Sequence, residues 1–242
     1  MAQNIYDRSD FFSAYSQLPR SIRGLEGAPE WPAIQAILPN LNRKRVLDLG
    51  CGFGWFARWA RERGAAQVTG VDLSERMIQR AKAETHDSEI KYIVADLEHI
   101  ELAAESFDFA YSSLVFHYVI DLNRLLRMVH RALVPGSHLV FTIEHPICMA
   151  PAHPGWLIDD QGTKSWPLNR YSVEGERTTD WLAKGVVKQH RTMGTTLCSL
   201  IGAGFTIRHV QEWAPTAEQV ANDPELAEEL ERPTFLLVSA RR

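Results

Sequence analysis

The first half of this sequence alternates between short apolar runs and amphipathic stretches with a helical period. Runs rich in aliphatic and aromatic residues predict buried strands at residues 45–49, 67–72, 90–95, 106–113 and 137–144. The stretches between them predict helices at 55–63, 75–83 and 121–133, the last with an apolar stripe formed by Leu122, Leu125, Leu126, Val129 and Leu133. Strands that alternate with helices in this way indicate a parallel sheet with right-handed crossovers, and therefore an α/β fold.

The segment between the first strand and the next helix is rich in glycine. Gly50, Gly52 and Gly54 form a turn at which a ligand can approach the backbone, with the amino end of the helix pointing toward it. Asp48 is unusual, because it lies between two leucines in a strand where an unpartnered carboxylate is costly. Its charge repels a pyrophosphate and attracts an ammonium group beside a sulfonium. The loop is therefore predicted to bind S-adenosylmethionine (SAM) rather than NAD.

The spacing of the glycines supports the same prediction. A dinucleotide-binding motif has its third glycine one position after Gly54, where this chain has the bulky Trp55. The segment 47–54 resembles the nucleotide-loop motif of the class I SAM-dependent methyltransferases that act on small molecules. The resemblance implies one domain over residues 1–242, with a Rossmann-like, doubly wound, mostly parallel sheet of seven strands in the order 3-2-1-4-5-7-6. Its last two strands correspond to residues 205–213 and 234–240.

Acidic residues follow the predicted strands at their carboxyl ends. Asp72 comes about twenty residues after the glycines, where a carboxylate accepts both ribose hydroxyls; alternatively, it caps the next helix together with Ser74. The resemblance implies that Asp96 receives the adenine amino group. Ligands of doubly wound sheets lie where the winding reverses, which adds Ser112 and Ser113 after the fourth strand. The predicted cofactor-binding residues are Asp48, Gly50, Cys51, Gly52, Gly54, Asp72, Leu73, Asp96, Leu97, Ser112, Ser113, Tyr15 and Arg20.

Tyr15 and Arg20 belong to an irregular, aromatic amino-terminal segment, residues 1–40. In the family that the chain resembles, this segment often closes over the SAM pocket. Tyr15, Arg20 and Arg23 are therefore predicted to contact the methionine carboxylate or the substrate. Alternatively, Phe11, Phe12 and Tyr15 only cover an apolar edge of the core.

The regular alternation stops over residues 146–185. This segment carries four of the twelve prolines, and Trp156, Trp166, Tyr171 and Trp181 lie within it. A loop of this length with many aromatic residues is typical of a functional cover, so we predict an inserted lid over the substrate. A dimer contact or a small core of its own remains the alternative, and a homodimer is compatible with the sequence.

Methyl transfer from a sulfonium requires alignment of nucleophile, methyl group and sulfur, and it requires a general base only when the nucleophile is still protonated. His145, at the end of the fifth strand, is the first candidate base, followed by His190 and His117. A buried structural role is the alternative for His117, and an ordinary place in a polar lining is the alternative for each of the three. Tyr15 or Tyr171 would orient an oxygen nucleophile.

Composition narrows the possible partners. The net charge is −4 and no basic face is evident, so nucleic acid is not an expected partner. The three cysteines are far apart, which predicts neither a disulfide framework nor a metal site. No apolar run is long enough to span a membrane, and the chain lacks a signal-like start, so we expect a cytoplasmic protein whose partner is a small-molecule substrate.

Two other functions are compatible with parts of this pattern. A nicotinamide-dependent oxidoreductase would also use a glycine loop, but Asp48 and Trp55 disfavour it. A SAM-binding regulatory protein without catalysis would share the cofactor residues. An aromatic cavity next to the cofactor methyl group favours the enzyme, whereas a flat or filled surface there favours the regulator.

Overall fold

The structure is a computed structural model that describes residues 3–242. Its helices are α1 (Ser9–Tyr15), α2 (Pro19–Ile22), α3 (Trp31–Ile37), α4 (Trp55–Glu62), α5 (Glu75–Ala83), α6 (Leu122–Ala132), α7 (Pro146–Met149), α8 (Met193–Gly202) and α9 (Ala217–Asn222). Its strands are β1 (Arg45–Leu49), β2 (Gln67–Asp72), β3 (Ile90–Val94), β4 (Phe107–Ser113), β5 (Leu133–Glu144), β6 (Leu157–Ile158), β7 (Lys164–Ser165), β8 (Gly175–Thr179), β9 (Val186–His190), β10 (Thr206–Glu212) and β11 (Phe235–Arg241). Among the residues described, no helix is long and apolar enough to cross a membrane.

One seven-stranded sheet organises the chain, in the order β3-β2-β1-β4-β5-β11-β10. Strands β1 to β5 pair in parallel, and β11 is antiparallel to both of its neighbours. Because β10 and β11 are the sixth and seventh strands of this sheet along the chain, the predicted order 3-2-1-4-5-7-6 is confirmed. The carboxyl ends of the parallel strands therefore lie along one edge, where doubly wound sheets bind their ligands.

Apolar residues cover both faces of the sheet. Val46 and Phe109 belong to a cluster that includes residues of α3, α4 and α5, whereas Leu47 and Ala110 belong to a cluster with α6 and α8. Successive strand residues point to opposite faces, so a strand between two helical layers has to be apolar on both sides. Asp48 breaks this rule inside the sheet.

The start of β5 differs from the sequence prediction. Residues 121–133 were expected to be helical and the strand to begin at residue 137, but the helix ends at Ala132 and β5 begins at Leu133. Pro135 disfavours a helical conformation in the residue before it. The pairing with β4 then shifts register between Phe107 and Phe109, with Gly136 at a φ of +87°.

Two segments extend over the carboxyl edge of the sheet. The amino-terminal segment, with α1 and α2, is fixed to the start of α5 by Asp7, whose carboxylate accepts hydrogen bonds from the Ser74 hydroxyl and the Arg76 backbone N–H. The inserted segment contains a hairpin, β6–β7, and a strand, β8, that pairs with β9. The small β8–β9 sheet therefore extends past residue 185, the predicted end of the insertion, to His190.

The apolar stripe of α6 gives a test of the fold. Leu125 is fully buried, whereas Arg127 on the same helix is exposed. We expect Leu125→Ala to lower the free energy of unfolding by about 2–5 kcal/mol, because it leaves a cavity between helix and sheet. Arg127→Ala, the matched control, should change it by less than about 0.5 kcal/mol. Urea unfolding followed by circular dichroism measures both values, and equal effects would contradict the assigned packing.

Candidate active site

A cavity of about 830 Å³ opens at the carboxyl edge of the sheet. Its lining comes from the glycine loop, from the ends of β2, β4 and β5, and from both covering segments. On one side it reaches Asp48, Gly52, Asp72 and Asp96, and on the other side it reaches Lys188. The size is sufficient for a cofactor and a small second molecule.

The glycine loop is held by short backbone contacts. The N–H groups of Gly50 and Cys51 donate to the carbonyl of Val71, at 2.7 and 2.9 Å. Gly52 has a φ of +51°, and a Cβ added there would meet no atom within 4 Å, so the backbone at this position is open to a ligand. Gly54 differs, because a Cβ there would lie 2.1 Å from the Tyr92 hydroxyl. Gly54 thus allows close packing of the loop on β3.

Asp48 is buried without a partner for one of its carboxylate oxygens. The residue is 2% exposed, and its Oδ2 has no hydrogen-bond partner among residues 3–242. Burial, with a further contribution from the charge of Asp72, raises the pKa of Asp48 to about 8. A ligand that brings positive charge or hydrogen-bond donors here would stabilise the ionised form.

Asp72 and Asp96 also reach the cavity. The carboxylate of Asp72 accepts from the N–H groups of Gly52 and Ser74, both at 2.9 Å, while burial raises its pKa. Both predicted roles of Asp72 are thus compatible, because Ser74 caps α5 and Asp72 still faces the cavity. Asp96 Oδ1 accepts from Glu98 N–H, whereas its buried Oδ2 has no partner in the described chain. Leu73 and Leu97 line the same side.

The amino-terminal residues surround the entrance to this side. Tyr15 lines the cavity and packs edge-on against Phe53 of the glycine loop, at 5.8 Å between ring centroids. Arg20 also lines it, but its guanidinium is bound to the fully buried Glu30 at 3.0 and 3.3 Å. The charge of Arg20 is therefore already balanced by Glu30.

Ser112 and Ser113, at the end of β4, have different surroundings. Ser113 lines the cavity, and its hydroxyl lies 3.2 Å from that of Thr142. Ser112 is fully buried and donates to the carbonyl of Leu49 at 2.8 Å, away from the cavity lining. The geometry gives Ser112 a role in joining β4 to β1 instead of the predicted cofactor contact.

Two of the three candidate histidines do not reach the cavity. His145 is the N-cap of α7: its Nδ1 accepts from Ile147 N–H, and its Nε2 lies 3.0 Å from Glu212. Burial lowers its pKa, against the opposing effect of Glu212. The ring of His190 is directed to the carbonyl of Tyr171, at 2.8 Å. These contacts, and not the positions along the strands, fix the direction of both rings.

His117 does line the cavity, in a short 3-10 helix after β4. Its Nδ1 accepts a hydrogen bond from Glu144 N–H at 3.3 Å. Burial lowers its pKa well below the usual value, and the charges of Lys188 and Arg191 add to this effect. A neutral ring whose Nδ1 is an acceptor carries its proton on Nε2, so His117 offers a donor and not a base.

The sequence prediction missed the polar pair on the opposite wall. Lys188 of β9 is 6% exposed and bonds to Glu144 at the end of β5, and both line the cavity. Tyr6 and Tyr118 also line the cavity, with hydroxyl oxygens 3.5 Å apart. One signal in the sequence could have found Lys188. Val186, Lys188 and His190 lie on the buried face of β9, where a charged residue is unusual.

Comparisons with known proteins agree with this geometry. The family described as "Methyltransferase domain" matches residues 47–141. The crystal structure of an S-adenosylmethionine dependent methyltransferase from Mesorhizobium loti is 62% identical, with a TM-score of 0.88, and the match covers 90% of this chain and 100% of that one. A structure from Listeria monocytogenes is 38% identical with a TM-score of 0.81, over 89% of this chain and 98% of that one.

A curated relative is similar over part of the chain only. The malonyl-[acyl-carrier protein] O-methyltransferase of Pseudescherichia vulneris is 35% identical over 57% of this chain and 54% of its own length. This chain thus spans about half of that relative. The near-complete coverage of the Mesorhizobium loti structure shows the family: this chain belongs to the SAM-dependent methyltransferases, with SAM as its cofactor.

Proposed function

We propose that this protein transfers the methyl group of SAM to a small-molecule acceptor that binds in the same cavity. The observation that carries the proposal is the continuity of the cavity between the acidic glycine-loop side and the wall that contains Lys188, Glu144 and His117. A regulator that only binds SAM has no need for an aromatic, polar space beyond its cofactor. A chain with this cavity has room for an acceptor next to the cofactor.

The residues on the acidic side fit SAM. Asp48 has an unsatisfied buried oxygen that suits the positive methionyl end, and Asp96 has another that suits the adenine amino group. Asp72 faces the cavity beside the open backbone of Gly52, as a ribose ligand would. When bound, SAM supplies a methyl group on a positively charged sulfur, which is already activated for displacement.

The remaining work of the protein is positioning and exclusion of water. Tyr118 and Trp181 line the cavity near Glu144 and Lys188 and supply apolar surface with a hydroxyl and an indole edge. His117 contributes an Nε2–H donor that can hold an acceptor oxygen. Contacts of this kind raise the fraction of bound acceptor that is aligned for attack.

The partial similarity to an O-methyltransferase supports an oxygen acceptor. That relative is named for malonyl-[acyl-carrier protein] and is matched over about half of its length, so its substrate is one candidate for testing here. The direct experiment incubates the purified protein with methyl-labelled SAM and a panel of acids, phenols and amines, and detects product by mass spectrometry. Binding of SAM without transfer to any compound would favour a binding protein over the proposed enzyme.

Removal of the Asp72 carboxylate tests the ribose assignment. We expect Asp72→Asn to weaken SAM and S-adenosylhomocysteine binding by about tenfold to a hundredfold, since charge-assisted hydrogen bonds contribute about 1.5–3 kcal/mol each. Asp87→Asn, a carboxylate outside the cavity lining, is the control and should leave affinity unchanged. Isothermal titration calorimetry measures both, and wild-type affinity in Asp72→Asn would remove the assignment.

The raised pKa of Asp48 predicts proton release when SAM binds. Below the free-state pKa of about 8 the carboxyl group is protonated, and a cationic ligand favours its ionised form. SAM affinity should therefore rise as pH increases toward about 8 and level off above it. Calorimetry at neutral pH in buffers of different ionisation enthalpy measures the released protons.

The Asp48→Asn variant separates this effect from titration of the ligand's own amino group. Proton release by the variant should be smaller than by the wild-type protein under the same conditions. Equal release by both proteins would show that Asp48 does not change its ionisation on binding.

A further inference from the structure

We propose that the carboxylate of the SAM methionine is bound by two neutral donors, the indole N–H of Trp55 and the hydroxyl of Ser21, and not by an unpaired positive charge. Neither residue has a part in the proposed function. The inference goes beyond that function, because it concerns binding of the cofactor and requires no methyl acceptor.

The methionyl end of SAM carries an ammonium group and a carboxylate on the same carbon atom. With the ammonium group against Asp48, as proposed above, the carboxylate lies next to that position. A carboxylate that leaves water needs hydrogen-bond donors in the protein. These donors therefore have to lie near Asp48, beside the glycine loop.

The positively charged side chains of the cavity are already paired. Among the described residues that line it, Arg20 and Lys188 are the only arginine and lysine, and they are bound to Glu30 and Glu144. Arg20, which the sequence suggested for this contact, directs both terminal nitrogens to the fully buried Glu30. A second carboxylate at this guanidinium would bring its charge close to that of Glu30. Donors without a partner are therefore the better candidates.

Trp55 has such a donor. Its Nε1 atom is buried and has no hydrogen-bond partner within residues 3–242, and the side chain lines the cavity. The ring is held in place by close neighbours: a Cβ added at Gly24 would lie 2.5 Å from its Cε3 atom, and the Arg58 guanidinium lies 4.7 Å from its centroid. Trp55 also begins α4, whose amino end has no side-chain cap and carries a partial positive charge. A buried N–H without a partner is costly until a ligand accepts from it.

Ser21 supplies the second donor. It is 1% exposed, it lines the cavity, and its hydroxyl has no hydrogen-bond partner in the described part of the chain. Burial raises the pKa of Tyr15, and Ser21 is near enough to oppose this effect, although the two hydroxyls do not form a hydrogen bond of normal geometry. The Ser21 hydroxyl is thus available to a ligand, beside a tyrosine that packs on the glycine loop.

Tyr111 connects this neighbourhood with Asp48. The two residues are paired in the β1–β4 ladder, so their side chains point to the same face of the sheet. Burial raises the pKa of Tyr111, and the charges of Asp48 and Arg20 both act on it. The segment that contains Arg20 and Ser21 therefore lies over the face that Asp48 occupies. A ligand whose ammonium group is at Asp48 can extend its carboxylate toward this segment.

Removal of the ligand carboxylate tests the assignment. S-adenosylhomocysteine and its decarboxylated analogue, which keeps the amino group, are titrated into the wild-type protein, Trp55→Phe and Ser21→Ala by isothermal titration calorimetry. We expect each variant to bind S-adenosylhomocysteine about tenfold or more weakly than wild type, because a hydrogen bond to a charged group is lost. The analogue lacks the carboxylate, so its affinity for each variant should stay within about twofold of wild type.

Trp59→Phe is the matched control. Trp59 lies on the same helix but outside the cavity lining, where its ring packs edge-on against Trp31. This variant should keep the wild-type ratio of the two affinities. The ratio decides the test, because a general loosening of the site would weaken both ligands alike.

The indole N–H signal of Trp55 gives an independent measurement. In the proton–nitrogen correlation spectrum, the indole signal that is absent from Trp55→Phe identifies this residue. We expect it to move downfield when S-adenosylhomocysteine binds, and to move less with the decarboxylated analogue, because only the former offers a charged acceptor.

Two results would overturn the inference. Wild-type affinity for S-adenosylhomocysteine in both variants would show that neither donor meets the carboxylate. Equal losses for the two ligands, in variants that unfold at the wild-type temperature, would show that Trp55 and Ser21 only shape the site. Neither result depends on a methyl acceptor, so failure of the proposed transfer reaction is detected separately, by its own product assay.

Discussion

The burial of acidic side chains at the ends of neighbouring parallel strands is the constraint on which the site depends. Asp48 lies in the centre of the sheet with an oxygen that no described residue satisfies, and the charge of Asp72 adds to the cost. In the free protein this arrangement is unfavourable, because both burial and like charge oppose ionisation. Under the proposed function, a cationic cofactor would offset part of that cost. The buried carboxylates therefore favour a positively charged ligand over a phosphate.

Local signals were enough to predict most of the fold. The bounds of β2 and α5 match the sequence prediction, because their starts and ends are marked by short-range features such as the Ser74 cap. The strand order followed from the family resemblance. The start of β5 was predicted incorrectly, since Pro135 and Gly136 indicate the end of a helix but do not reveal that the chain before them is already extended. Pairing with β4 determines that conformation.

The site residues were predictable where the position of a residue along its strand determines whether it reaches the cavity. Asp48, Asp72 and Asp96 reach the cavity because the carboxyl ends of parallel strands share one edge. His145 also follows a strand, but its ring does not reach the cavity. The ring is bound to Ile147 N–H and to Glu212, which is 67 residues away in the sequence. Arg20 lines the cavity, but its guanidinium forms a salt bridge with Glu30. Glu144 and Lys188 meet only after the insertion folds back, and no local pattern indicates such a contact.

The two walls of the cavity come from different parts of the architecture. The acidic wall is made by strands of the central sheet and the loops that follow them, whereas Lys188 belongs to the two-stranded β8–β9 sheet, which has no strand in common with the central sheet. Substitutions in this small sheet can therefore change one wall of the cavity while the backbone pairing of the central sheet is preserved. The hairpin is thus a unit that can be exchanged between homologues to reshape that wall without altering the glycine loop.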